Sequence, residues 1–588
     1  MFHRMNRSHS VARPTVASKA GAAVIAAAIL LLAIGVCGAA VPEQFRVWGG
    51  QAKAHPYMAD PEAVVVAAPV EASAEETARG FVLFAKPTSF VIAPDFVPAA
   101  ADRSASLAAR DCAGQYGPIS LAVLALRPGE FSMSVTDLAG PGGRTIAAEN
   151  FDVRVVRRIK VTTKGQSEAA PVLLESPATQ TVRERESQQF WITYYVPEGT
   201  PTGAYTGKVR VLVGGAEKAA VPLTLTVYPF VLAEPGVNLY MYYNAAVDPP
   251  DLALIEKELA DQRCHGMTMA PMSMPVTRDG DLKRDVLAAV LDIYRKAGFS
   301  GHHLEIGLWN RITAEWLNKP DTSIKMYTTW FRYYPFSERL DQRYVETVKF
   351  IRDEARRRGL DLVLEVADEP GSHPWTTEAT QHYDDLIKRD VPDVLRELTT
   401  GGGWAMKRPE DELWKGRINI WSVNRWLPDK MALVRQGDPK AVFQIYNMAG
   451  EGSGMGRLSP PRLFFGFFNW KAGVAGAAQW VYYHNGTASH NYTWPAADAS
   501  QGHVPTVRWE MAREGAKDRR YLATLEQRLG GKTGPAAAEA RQFLDELSAR
   551  IVLKTDEYDP IAGGRIPTEP PGTYDQWRDR AAELIQRL

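Results

Sequence analysis

Two rhythms divide the chain. From residue 80 to about residue 228, apolar and polar positions alternate in short runs broken by Gly and Pro. Examples are Gly80-Phe-Val-Leu-Phe84, Ile119-Ser-Leu-Ala-Val-Leu-Ala125, Phe131-Ser-Met-Ser-Val-Thr136, Phe190-Trp-Ile-Thr-Tyr-Tyr-Val196 and Val221-Pro-Leu-Thr-Leu-Thr-Val227. A period of two, rich in β-branched and aromatic residues, marks strands with one buried face. So many in succession predict antiparallel sheets stacked as a β-sandwich over 80–232. No acid pair or His cluster there carries evident chemistry.

After the Pro229–Gly236 hinge the period lengthens. Strand-like runs at Val237–Asn244, Met267–Met274, His303–Trp309, Asp361–Pro370, Val394–Thr400, Arg417–Asn424, Ala441–Asn447 and Ala475–His484 are separated by helical patterns or long loops. The helices predicted are Asp251–Gly266, Leu282–Gly298, Gln342–Gly359, Thr376–Asp390, Pro428–Arg435, Ser459–Gly473 and Pro505–Leu529. Several stop at glycine, as helices do. Eight alternating βα units over 233–531 are the plan of a (β/α)8 TIM barrel. An open doubly wound sheet is the alternative, but no glycine-rich phosphate fingerprint follows an early strand. Pro535–Leu553 and Tyr574–Leu588 predict surface helices in a C-terminal helical extension, 532–588.

The first 40 residues have another plan. Arg4, Arg7, Arg13 and Lys19 precede an apolar run, Gly21–Val36, and the small residues Gly38, Ala39 and Ala40. This predicts a signal peptide and export, to the periplasm, the cell surface or the medium. An uncleaved membrane anchor is the rival, since the apolar stretch nears bilayer-spanning length. Residues 41–79 read as a linker. Lys plus Arg and Asp plus Glu are both 68, a balance that excludes the basic character of a nucleic-acid partner. After cleavage only Cys112 and Cys264 remain, in different predicted domains, which makes no disulfide framework. No metal-ligand spacing is present, and no cofactor is expected.

Candidate chemistry gathers at strand ends, where parallel α/β folds place it. In Asp361-Leu-Val-Leu-Glu-Val-Ala-Asp-Glu-Pro370 an apolar strand stops at two adjacent carboxylates and a proline. Strict alternation puts Leu362, Leu364, Val366 and Asp368 on one side, Glu365 and Glu369 on the other. The apolar set should face helices, so Glu369 is aimed into the barrel mouth as a general acid, and Asp368 must turn at the strand end to join it. Other strand ends offer Tyr242, Tyr243 and Asn244; Trp309 and Asn310; Tyr446 and Asn447; and Trp480, Tyr482 and Tyr483, with His484 and His490 nearby. Aromatic faces suit sugar rings, although cores use them equally. Glu451 and Arg457 lie in a Gly-rich loop after the seventh predicted strand.

Four ordered stretches carry a resemblance: Phe190–Gly207, Val366-Ala-Asp-Glu-Pro370, Arg462–Tyr483, and Pro505–Gly515 leading to Tyr521-Leu522. They resemble glycoside hydrolase family 123 and the related domain-of-unknown-function family 4091, over about residues 80–530. The resemblance implies an exported β-sandwich plus TIM barrel with exo-acting β-N-acetylgalactosaminidase activity. The substrate's 2-acetamido group would be the nucleophile, Glu369 the general acid and then base, and Asp368 the group that orients and polarises the acetamido nitrogen. The expected partner is an N-acetylhexosamine-containing glycan, with Tyr242, Trp309, Tyr446, Asn447, Trp480 and Tyr482 as candidate substrate contacts. Two rivals stand beside it. One is a two-carboxylate retaining glycosidase with Glu369 as acid and Glu451 as nucleophile. The other is a non-catalytic glycan-binding surface protein, since fold does not give function.

Overall fold

The computed structural model describes residues 50–53, 58–59, 67–90, 92–103, 106–163, 166–246, 249–271, 282–299, 303–306, 338–368, 377–400, 414, 416–449, 458–484, 490–498, 501–554, 566 and 568–588. The predicted signal or anchor segment lies outside them. So do Trp309, Asn310, Glu369, Glu451 and Arg457.

In the first half of the chain two sheets face each other across one apolar core. One sheet orders its strands Met58–Ala59, Phe151–Thr163, Ser187–Tyr195, Tyr116–Ala125, Phe81–Phe84, with Gln166–Glu175 also paired to Phe151–Thr163. The other runs Thr179–Val182, Gly129–Val135, Gly203–Val213, Ala216–Val227, Leu107–Asp111. Leu121, Val123, Phe190 and Ile192 from the first meet Phe131, Tyr205, Val209 and Leu223 from the second. The second sheet is not wholly antiparallel as expected, because Ala216–Val227 and Leu107–Asp111 pair in parallel. Within the stretch read as linker, Ala74–Arg79 is a helix started by a reciprocal capping box between Ser73 and Glu76.

Strand Ser187–Tyr195 explains why Phe190–Val196 lacks polar relief. Phe190 and Ile192 enter the shared core, whereas Trp191 on the opposite face packs with Leu458, Val507 and Met511 of the second half. Both faces are buried, so both faces are apolar.

The second half is built on seven parallel strands: β1 (Asn238–Met241), β2 (His303–Ile306), β3 (Asp361–Asp368), β4 (Leu395–Thr400), β5 (Ile420–Val423), β6 (Val442–Tyr446) and β7 (Gly476–Gln479). Their order is β1-β7-β6-β5-β4-β3-β2, so the sheet curls its last strand against its first. Eight were expected, and seven form among the described residues. The run predicted as second strand, Met267–Met274, is described only to residue 271, and 267–271 makes no ladder. It nevertheless lies along β1: the Thr268 amide donates to the Leu239 carbonyl at 2.8 Å, while the Leu239 amide donates to the Thr268 hydroxyl at 2.8 Å. A side-chain oxygen takes the place of a ladder carbonyl, which is why no regular strand results.

Nine helices of this half are described: α1 (Leu252–Cys264), α2 (Arg284–Lys296), α3 (Glu338–Arg357), α4 (Thr377–Asp390), α5 (Pro428–Gly437), α6 (459–472, with a π turn at Phe464–Phe468), α7 (Val507–Leu529), α8 (Pro535–Arg550) and α9 (Thr573–Arg587). Leu362, Leu364 and Val366 of β3 join the core with Val348 and Ile351 of α3 and Ile387 of α4, as the alternation predicts.

Helix α7 is the seam of the molecule. Thr506 caps it, its hydroxyl accepting from the Trp509 amide at 3.2 Å. Charged along its length, it is nonetheless buried at Arg508, Glu510, Arg513, Glu514, Lys517 and Asp518. The two-sheet region, the parallel region and α9 all close on it. Glu510 accepts from Thr193 at 3.1 Å and Trp191 at 3.3 Å, and contacts His265 and Arg513. Lys517 donates to Asp111 at 2.6 Å. Asp518 accepts from Arg462 of α6 at 2.7 Å and Arg578 of α9 at 2.5 Å. The Arg513 guanidinium and the His265 contact hold the Glu510 carboxyl down at about 2 against the pull of burial. Helices α6 and α7 cross where a Cβ on Gly515 would come within 2.5 Å of the Arg462 carbonyl oxygen, so only glycine fits. Helix α9, expected as a surface helix, buries Tyr574, Arg578, Ala581, Ala582, Leu584 and Ile585.

Candidate active site

The strand ends converge at one mouth. Tyr242, just past β1, is its centre: its ring lies 6.1 Å from Tyr446 and 5.7 Å from Trp480. Tyr446 ends β6 and crosses β5, donating its hydroxyl to the Thr400 carbonyl at the end of β4 at 2.6 Å. Trp480, half-buried after β7, also packs 5.5 Å from His484, whose pKa is lowered by burial.

Asn447 fixes this arrangement. It takes a left-handed backbone (φ 55°), which Asn tolerates better than most residues. Its side-chain oxygen accepts from the Trp480 amide at 2.6 Å, and its own amide donates to Ala478 at 3.1 Å. That oxygen is engaged by the backbone, so Asn447 positions Trp480. The candidate contact Tyr482 is elsewhere. Its hydroxyl donates to Asp261 at 2.9 Å, and its ring packs on Tyr243, His503 and Trp509 beside the seam. Tyr483 stands edge-on to His503, 5.4 Å away, and Asn244 is exposed.

The acid strand departs from strict alternation. Opposite β4, Glu365 pairs with Glu397, but then Ala367 pairs with Leu398 and Asp368 with Thr399. A bulge at Val366 has inserted one residue and shifted the register. The backbone of Asp368 therefore stands level with Thr399, whose hydroxyl donates to Glu365 at 3.5 Å. The expectation that Asp368 follows Leu362 and Leu364 in register fails at this bulge.

Glu397 was not singled out from the sequence. It is 1 % exposed and accepts hydrogen bonds from Ser422 of β5 and, at 3.4 Å, from Tyr240 of β1. Burial pushes its carboxyl up to about 7. An acid whose proton affinity is raised by burial, next to Glu365, lies below the mouth. The signal available was Glu397's two-residue spacing from Thr399 on a predicted strand. Gln444, buried on β6 level with Ser422, fills the space that a Cβ on Gly476 would need. Among the described residues, no three His, Cys, Asp or Glu converge as a metal site.

This arrangement offers aromatic walls, a fixed strand-end carboxylate register and a buried proton-holding acid. Such a mouth suits a polar ligand with apolar ring faces. No family model matches the chain, and no curated protein matches it. Among solved structures, it is similar to a family 123 glycoside hydrolase from Clostridium perfringens, studied for glycolipid glycan hydrolysis. That match has TM-score 0.57 and 11% identity, covering 86% of this chain and 97% of that one. A family 39 glycoside hydrolase from Bacteroides cellulosilyticus WH2 matches with TM-score 0.36 and 11% identity, over 70% of this chain and 82% of its own. GH5_18 from Streptomyces cattleya, in complex with GlcNAc, matches with TM-score 0.35 and 12% identity, over 59% and 96%. At 11% identity, the first is a likeness of fold.

Proposed function

We propose that the protein is an exported glycoside hydrolase, a retaining β-N-acetylhexosaminidase with a β-sandwich and an eight-stranded barrel. The observation that carries this reading is the bulge in β3. It sets the backbone of Asp368 level with Thr399, at the strand end where this reading needs an acid. The likeness of fold to a glycoside hydrolase over 97% of that enzyme supports the same reading.

In the proposed reaction Glu369 protonates the glycosidic oxygen as the bond to the anomeric carbon breaks. The 2-acetamido oxygen attacks that carbon and closes an oxazolinium ring. Asp368 accepts the acetamido N–H and offsets the positive charge that develops there. Glu369 then takes a proton from water, which attacks the same carbon and reopens the ring, so configuration is retained. Tyr242 and Trp480 wall the sugar.

Hydrolysis of aryl β-N-acetylgalactosaminide and β-N-acetylglucosaminide tests this. Wild type should turn over one of them, and Glu369→Gln should lose about 10²–10⁴-fold in kcat. A thiazoline analogue of the sugar should inhibit. Equal inertness of both proteins, or trapping of a covalent glycosyl-enzyme with no thiazoline inhibition, would reject the reading.

A further inference from the structure

The two-sheet region and the parallel region leave a cleft of about 610 Å³ between them, away from the mouth. It shares no residue with the mouth and does not depend on the hydrolysis reading. Its size is that of a pocket for a small organic ligand. Four cations line it, Arg263, Arg513, Lys517 and Arg520, against two carboxylates, Glu198 and Glu234. The carboxylates are exposed at the rim, while Arg513 and Lys517 lie buried in the floor.

These cations differ in how far they are satisfied. Lys517 is held by Asp111 and the Tyr116 carbonyl, 2.6 and 2.7 Å away. Arg520 spends all three nitrogens on Ala233, Gln115 and Leu232. Arg513 is 3 % exposed and bonds Glu510 through Nη2, yet its Nε and Nη1 have no hydrogen-bond partner among the described residues. Buried guanidinium donors left unpaired are unfavourable, and an acceptor that reached them would relieve this. The guanidinium lies 5.6 Å from the ring centre of Tyr116, which in turn packs 4.5 Å from Tyr195. Both tyrosines line the cleft.

We propose that this cleft binds an anionic monosaccharide, a sugar carboxylate or sugar phosphate. Arg513 and Arg263 take the oxyanion, since a guanidinium fork matches its paired oxygens. Tyr116 and Tyr195 offer the ring an aromatic face, and Glu198 and Glu234 accept hydroxyls at the rim. Arg263, paired with Glu234 at 3.0 Å and partly exposed, adds charge at the entrance.

Calorimetric titration of the full-length protein with glucuronate, glucose 6-phosphate and glucose tests this. At least one anion should bind, and glucose about ten-fold or more weaker. Arg513→Gln should abolish binding. Because its loss also disturbs the buried Glu510, Arg263→Gln is the second variant, expected to weaken the anion about ten-fold and leave aryl-glycoside hydrolysis unchanged. Which anion binds separates carboxylate from phosphate. No binding of either at millimolar concentration, glucose binding as well as the anions, or unchanged binding in Arg263→Gln would overturn the proposal.

Discussion

Two sets of buried carboxylates in this molecule behave in opposite ways. In the seam, Glu510 and Glu514 are held below the usual range, because Arg513, Arg578 and Lys517 outweigh the burial that would raise them. In the lumen, Glu397 is raised to about 7, because burial outweighs the Ser422 and Tyr240 hydroxyls that favour its charged form. Burial is similar; the company differs. A carboxylate whose cations outweigh its burial keeps its charge and serves as a structural part. One met by neutral donors can hold or release a proton near neutrality, which is the property acid–base chemistry uses.

The largest expected effect that tests this contrast is in the seam. Asp518→Asn leaves Arg462 and Arg578 without their shared counter-charge, and should cost about 3–5 kcal/mol in chemical denaturation. A loss below about 1 kcal/mol would show that the seam is not a matched network. Next comes the helix crossing. Gly515→Ala puts a methyl against the Arg462 carbonyl and should cost about 1–3 kcal/mol, read as a lowered Tm. An unchanged Tm would mean that α6 can yield.

The smallest effects per step are two pH slopes of opposite sign, each at most about 1.4 kcal/mol per pH unit. Glu397 has a folded pKa above its ordinary 4.5, so its contribution is full below about 4.5 and lost as pH rises through about 7. Glu397→Gln should therefore gain stability relative to wild type between those values and hold the gain at pH 8. Glu510 has a folded pKa near 2, so its contribution is present above about 4.5 and lost as pH falls through about 2. Glu510→Gln should flatten the acid limb. Denaturation midpoints followed across pH decide both, and parallel slopes would erase the distinction between the regions.

The periodic elements were the legible part of this fold. The runs at Val394–Thr400 and Ala441–Asn447 became β4 and β6 within a residue or two, because alternation is set by which face is buried. Tyr242, Tyr446 and Trp480 were legible as a group because strand ends converge in a parallel sheet. The register of Asp368 was not, since a bulge leaves no mark in a run such as Leu362–Val366, whose composition is the same with or without it. Nor was Glu397, whose raised pKa depends on Ser422 and Tyr240 from two distant strands. Helix α7 misled for a third reason. Charged residues on a helix ordinarily face water, but here three bodies close around it and supply partners as far away in sequence as Asp111 and Arg578.

That arrangement bears on how the chain is made. Synthesis proceeds from the amino end, and a two-sheet domain would ordinarily fold as soon as it leaves the ribosome. Here Asp111 waits 406 residues for Lys517, and Asp518 waits a further 60 for Arg578. Helix α9, made later still, closes the electrostatic balance begun in the two-sheet region. Nascent chains halted before residue 573 should thus stay sensitive to protease in both halves, and resistance should arrive only once α9 has emerged.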